Sequence, residues 1–226
     1  ASYDFTLQNA VQGDTDNLKF TNNHVAFLKY RFPTLTDGEI LKIVKEFHYI
    51  PIVDDHSFHY KSFFNKFVYM YLLENGNYIK SKTSNSSVYN DRKDYYYNVT
   101  SYMHENLYLS EGIIDLMTIA TQDPLMNATN SNFLAFCSRN YKFIYEFLLN
   151  SGKFFYNNIY LIIDNDVNRA TFINGVIKKL GNGKGNPKFK LFNNLYVMEV
   201  PKTYLDLNDL YITTHSLKEM EITKII

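Results

Sequence analysis

Two apolar stretches, each running straight into carboxylates, constrain this chain more than anything else in it. Leu107-Tyr108-Leu109-Ser110 leads to Glu111, and Gly112 then opens a predicted helix that carries Asp115 and runs to about Thr121. Further on, Ile159–Ile163 delivers Asp164 and Asp166, two residues apart, so both side chains leave the same face if the strand persists. Acids at the C-terminal ends of two neighbouring buried strands build a divalent-metal site, and that edge is also where an open α/β sheet binds its ligands.

Around these stretches the chain alternates. Strand Leu107–Ser110, helix Gly112–Thr121, strand Phe133–Cys137, helix Tyr141–Asn150, strand Ile159–Ile163 and helix Asn168–Leu180 are followed by strands around Lys188–Val200 and a C-terminal helical piece. This spacing predicts a parallel sheet with helices on both faces, the α/β class. The part before it reads differently. A polar lead-in over Ala1–Asn23 gives way to a short helix, His24–Arg31, stopped before Pro33, and Thr36-Asp37-Gly38-Glu39 forms a capping box for a second helix with Ile40, Leu41, Ile43, Val44 and Phe47 on one face. Period two then takes over in Phe67, Tyr69, Tyr71 and Leu73, with Asn75-Gly76 as a hairpin turn, Tyr78–Lys82 returning, and a further strand after Arg92. The expected organisation is a mixed α+β lobe over 1–103 and an α/β domain over 104–226, α+β overall.

The pairing of Glu111-Gly112-x-x-Asp115 with Asp164-x-Asp166 resembles the TOPRIM domain of bacterial-type primases, topoisomerases and some nucleases. A third segment, Lys202-Thr-Tyr-Leu-Asp206-Leu-Asn208-Asp209, is similar to the acidic segment that closes the site in phage and plasmid primases, and Phe27–Arg31 and Arg92…Tyr96-Tyr97-Asn98 echo the lobe that precedes it there. The resemblance implies a Rossmann-type sheet and gives Glu111 general acid/base duty or metal binding, and Asp164 and Asp166 metal binding. Asp115 matches the family's second acid or is a helix-surface carboxylate. Asp206 closes the site, while Asn208 and Asp209 close it too or cap the last helix. The preceding lobe is expected to supply cations facing the acids, with Arg92 first and Lys80 and Lys82 beside it, the alternative being the solvated face of a hairpin. Arg139, just past the Phe133–Cys137 strand, contacts phosphate or begins the next helix.

Clustered without a cation, these acids repel one another and raise each other's pKa. Mg²⁺ or Mn²⁺ removes that penalty, keeps waters that a phosphate can replace, and stabilises charge in an in-line displacement at phosphorus. The resemblance therefore points to the RNA-polymerase core of a primase, joining ribonucleoside triphosphates on a single-stranded DNA template with a replicative helicase as partner. A TOPRIM nuclease using the same acids, and a non-catalytic replication factor keeping the fold, are the rivals.

Composition narrows the setting. Lys+Arg and Asp+Glu are equal at 23 each, so contact with nucleic acid has to come from a local patch. The single cysteine, Cys137, excludes a disulfide framework and any zinc ribbon, so no zinc is expected in this chain; template reading through zinc would belong to a trimmed module or to another protein. No run reaches the length of a membrane span and the start has no signal-peptide pattern, which suggests the cytoplasm, of a bacterial host if the chain is phage-encoded. Gly181–Asn186 follows a helix and precedes a strand, the reverse of a phosphate loop, and Asp54–His59 reads as a polar loop rather than a metal site.

Overall fold

The computed structural model describes residues 18–53, 56–61, 67–70, 96–98, 105–122, 131–136, 144, 156–180 and 192–226, with 59–61, 67–70, 96–98 and 179 described by backbone alone. The chain divides into two compact units, Ala1–Arg92 and Lys93–Ile226.

In the first unit two helices precede a sheet. Helix α1 (Asn22–Arg31) starts two residues before the expected His24. Thr21 caps it in a box whose third residue is a histidine in place of the usual Glu or Gln, which is why the start is hard to see in sequence. The Thr21 amide donates to His24 Nδ1 at 3.0 Å, leaving Nε2–H to donate to the Ser57 carbonyl at 2.7 Å. Helix α2 (Asp37–Glu46) begins at the expected box: the Glu39 carboxylate accepts from the Thr36 amide at 3.1 Å, which holds it below the ordinary carboxylate range. Ile40, Leu41, Ile43, Val44 and Phe47 are buried, as the periodicity requires.

Strands β1 (Tyr49–Ile52), β2 (Ser57–Lys61) and β3 (Phe67–Met70) form an antiparallel sheet in that order. The segment read as a polar loop thus enters a strand at Ser57, after His56 turns the chain at φ 53°. Buried Phe58 explains the strand: it stacks on Tyr49 with centroids 4.3 Å apart and packs edge-on to His24 at 4.7 Å. The Asn75-Gly76 turn and its return strand lie outside the described residues.

The second unit is an α/β domain built on one six-stranded sheet. Its strands are β4 (Tyr96–Asn98), β5 (Asn106–Ser110), β6 (Ser131–Ala135), β7 (Tyr156–Ile163), β8 (Phe192–Glu199) and β9 (Glu221–Lys224), in the order β4-β6-β5-β7-β8-β9. The four central strands are parallel and the two edges antiparallel. Both edges depart from expectation. Tyr96–Asn98, assigned to the N-terminal lobe, pairs with β6, and the C-terminal helical piece is followed by a strand. Short antiparallel edges cover the backbone groups that a parallel sheet would otherwise expose, and three or four residues are too few to announce themselves by periodicity.

Helices α3 (Ile113–Ala120), α4 (Arg169–Leu180) and α5 (Leu207–Thr214) complete the described part of this unit. The β5-α3-β6 crossover runs one way along the sheet and β7-α4-β8 the other, so the right-handed rule puts α3 and α4 on opposite faces. Between β5 and β7 the winding reverses, and the crevice at their C-terminal ends is the topological switch point. Two cross-strand rows fix the register there. Tyr108, Tyr160 and Tyr196 stack at 4.7 and 4.9 Å, and two residues earlier Asn158 donates to Asn106 at 3.0 Å and Asn194 to Asn158 at 2.9 Å. A slip of one residue would turn both rows to the opposite face, so the register is held with Leu109 beside Leu161 and both strands end at the same edge of the sheet, β7 one residue further on.

Candidate functional site

Four carboxylates approach the switch point from four chain segments. Glu111 follows the last residue of β5 and is half-buried. Asp164 follows the last residue of β7. Asp115 lies in the first turn of α3 and is only 6% exposed, so of its two readings the surface one is excluded. Asp206 caps α5, accepting from the Asp209 amide at 2.8 Å.

Their mutual influence shows in their protonation. Burial pushes Asp115 well above the ordinary carboxylate range, with the charges of Asp164 and Asp206 adding to it. Asp164 is raised to about 7, again chiefly by burial, then by Asp206, Glu111 and Asp166. The Asp115 and Asp164 carboxyls hydrogen-bond to each other, and the bond raises Asp115 and lowers Asp164, so Asp115 keeps the proton and Asp164 accepts it. Asp115 Oδ1 also accepts from the Asn208 amide at 3.2 Å.

Asp166 differs from expectation. The strand ends at Ile163, and the Val167 amide turns back to the Asp164 carbonyl at 3.3 Å. Asp166 is therefore an exposed turn residue, and the strand rule that would send its side chain the same way as Asp164 does not apply. Its charge reaches Asp164 as the weakest of the causes named above. Gly112 caps α3 at φ −114°, and an added Cβ would meet nothing within 4 Å, so the local backbone does not itself demand glycine.

The last segment was only partly legible. Asp206, not Asn208 or Asp209, supplies the N-cap, and the Asp209 carboxylate accepts from the Leu205 amide at 2.9 Å. Asn208 is buried and donates to Thr118 Oγ1 at 2.9 Å, tying α5 to α3. The expected cations Arg92, Lys80, Lys82 and Arg139 lie outside the described residues, as do Cys137 and Gly181–Asn186. Among the described residues Arg169, at the start of α4, pairs with Glu199 at 2.6 Å.

The donors are hard carboxylate oxygens, held close enough to keep one proton and oppose one another. That set suits a divalent cation of the Mg²⁺ or Mn²⁺ kind, which takes one or two carboxylates and retains water. Asp164 and Asp206 are the two carboxylates that could hold it, and the charge of Glu111 also acts on Asp164. Among the described residues no group of three or more His, Cys, Asp or Glu side chains is placed to hold a metal ion.

Fold and site together define an α/β domain with a carboxylate cluster at its switch point. No family model matches the chain, and no curated protein sequence matches it. Among solved structures it is similar to the primase fragment of the bacteriophage T7 primase-helicase protein, with a TM-score of 0.46 and 13% identity over 77% of this chain. The match spans 66% of that protein's chain, just under two thirds. Among the described residues no helix is long and apolar enough to cross a membrane.

Proposed function

We propose that this chain is the catalytic core of a DNA primase, making short RNA from ribonucleoside triphosphates on single-stranded DNA with Mg²⁺ or Mn²⁺. The observation that carries the reading is the gathering of Glu111, Asp115, Asp164 and Asp206 at the switch point, in the segments and order by which the sequence resembles a TOPRIM primase. When bound, the cation supplies charge neutralisation for a triphosphate and its leaving pyrophosphate. Asp164 and Asp206 would hold it, and Glu111, half-buried at the end of β5, would accept the proton of the attacking hydroxyl. Asp115 stays protonated and holds Asp164 through their shared hydrogen bond. Asp166, in the exposed turn, would add its negative charge to the site. Arg92, Lys80, Lys82 and Arg139 are the residues proposed to meet phosphate, a replicative helicase is the proposed partner, and the host cytoplasm is the proposed setting.

The test is primer synthesis from labelled ribonucleotides on single-stranded DNA, comparing the parent with Asp164→Asn. Oligoribonucleotides from the parent alone are the expected result. Degradation of the template without nucleotides present, abolished by the same substitution, would replace this reading with a nuclease. Neither activity, with intact fold and Mn²⁺ binding, would leave a non-catalytic factor.

A further inference from the structure

Asn165 stands between the two aspartates of the Asp164-x-Asp166 turn, and its hydrogen bonds run to another segment. Its side-chain nitrogen faces three carbonyl oxygens of the connection between β8 and α5: Val200 at 3.3 Å, Pro201 at 3.0 Å and Tyr204 at 2.7 Å. Its backbone amide donates to the Leu205 carbonyl at 3.2 Å. Two hydrogens shared among three acceptors is a task for a carboxamide; a carboxylate there would meet only like partial charges.

Burial does not hold this connection. Pro201, Lys202 and Thr203 are exposed, and Leu205 is 74% exposed, yet the next residue is Asp206. Helix α5 itself is anchored independently, by buried Leu207, Leu210 and Tyr211 and by Asn208 reaching Asp115 and Thr118. Within the connection the Leu205 amide donates to Asp209, the Asp209 amide to Asp206 and the Tyr204 hydroxyl to Glu219, and the bonds from Asn165 are those that tie it to the end of β7. The tie joins the immediate neighbour of Asp164 to the immediate neighbour of Asp206.

We propose that Asn165 is a positioning residue: it holds the 201–206 connection so that Asp206 stands beside Asp164, and through that pair it sets the affinity of the cluster for a divalent cation. The inference rests on the reading above that the cluster binds Mg²⁺ or Mn²⁺. Asn165 does not touch the cation; its effect passes through Asp206.

The experiment is Mn²⁺ binding by calorimetry to the full chain, with urea denaturation alongside, for the parent, Asn165→Ala, Asn165→Ser, Asp206→Asn and the Asn165→Ala/Asp206→Asn double variant. Asparagine at position 206 keeps a good helix cap while removing the carboxylate. Losing a residue that orients a ligand weakens metal binding about 10-fold or more, so Asn165→Ala should raise the Mn²⁺ dissociation constant by about that factor, with Asn165→Ser, which keeps one donor, in between. Because the effect passes through Asp206, the double variant should bind no more weakly than Asp206→Asn alone, an outcome that general loosening of the fold does not produce. Binding by Asn165→Ala within about twofold of the parent, or losses that multiply in the double variant, overturns the proposal while leaving the cation site standing. A parent chain that binds no Mn²⁺ overturns the site and, with it, the role of Asn165.

Discussion

Replacing Asp164 by asparagine should make the protein more stable in the absence of divalent cations and remove most of its response to them. Asp164 titrates near 7 in the folded chain against 3.8 as an ordinary aspartate, so the folded state holds an extra proton between those values. A folded state that binds more protons loses stability as pH rises, here from about pH 4 to pH 7, with the loss complete above that. The difference of roughly 3 units corresponds to an upper bound of about 4 kcal/mol at 1.36 kcal/mol per unit. The site is only partly closed to water, so we expect about half of that, ~2 kcal/mol. For a chain of this length that is a rise of about 4–8 °C in Tm at pH 8 in EDTA. Asparagine keeps an oxygen to accept the Asp115 proton, so packing and that bond are preserved. The assay is thermal denaturation of parent and Asp164→Asn from pH 5 to 8.5, with EDTA or 5 mM Mn²⁺ as an arbitrary saturating dose, roughly 100-fold above a weak site's dissociation constant. The parent should fall in Tm across the window and recover with Mn²⁺, and the variant should fall less steeply, keeping only the contribution of buried Asp115, and respond much less to the ion. A variant less stable than the parent at pH 8 in EDTA by as much as at pH 5 would refute the electrostatic argument, because the carboxylate would then be a net stabiliser.

Other consequences are local. Asn208→Ala leaves the Thr118 hydroxyl without that donor in a buried place and should cost about 2 kcal/mol in urea denaturation, with Thr118→Val adding little on top of it. Thr36→Ala removes the α2 cap and should cost about 1 kcal/mol. Arg169→Ala breaks a half-exposed pair with Glu199 and should change stability by less than about 1 kcal/mol, so a large loss of primer synthesis in that variant would mark a substrate contact rather than a folding defect.

What the sequence determined by itself is the local part. The runs Leu107–Ser110 and Ile159–Ile163 are strands because they are short, apolar and followed by helix starts, and α2 begins where Thr36 and Glu39 can satisfy each other's amides. Glu111 and Asp164 were legible for the same reason: a charged residue at the end of a buried run marks where the chain leaves the core. Tertiary structure decided the rest. Asp115 reads as one acid on a helix, and only the packing of α5 against α3 buries it beside Asp164. Asp166 looks like the partner of Asp164 at strand spacing, but the turn at 164–167 ends the alternation one residue too soon. Edge strands β4 and β9 take their conformation from the neighbours they pair with, since three or four residues carry too little pattern to fix it. Asn165 shows the limit most clearly. Between two aspartates it reads as a spacer, and its partners at Val200, Pro201 and Tyr204 lie 35 to 39 residues away, so no local rule could have named them. Hydrogen bonds between distant loops depend on where the sheet brings their ends, and register, not composition, sets that.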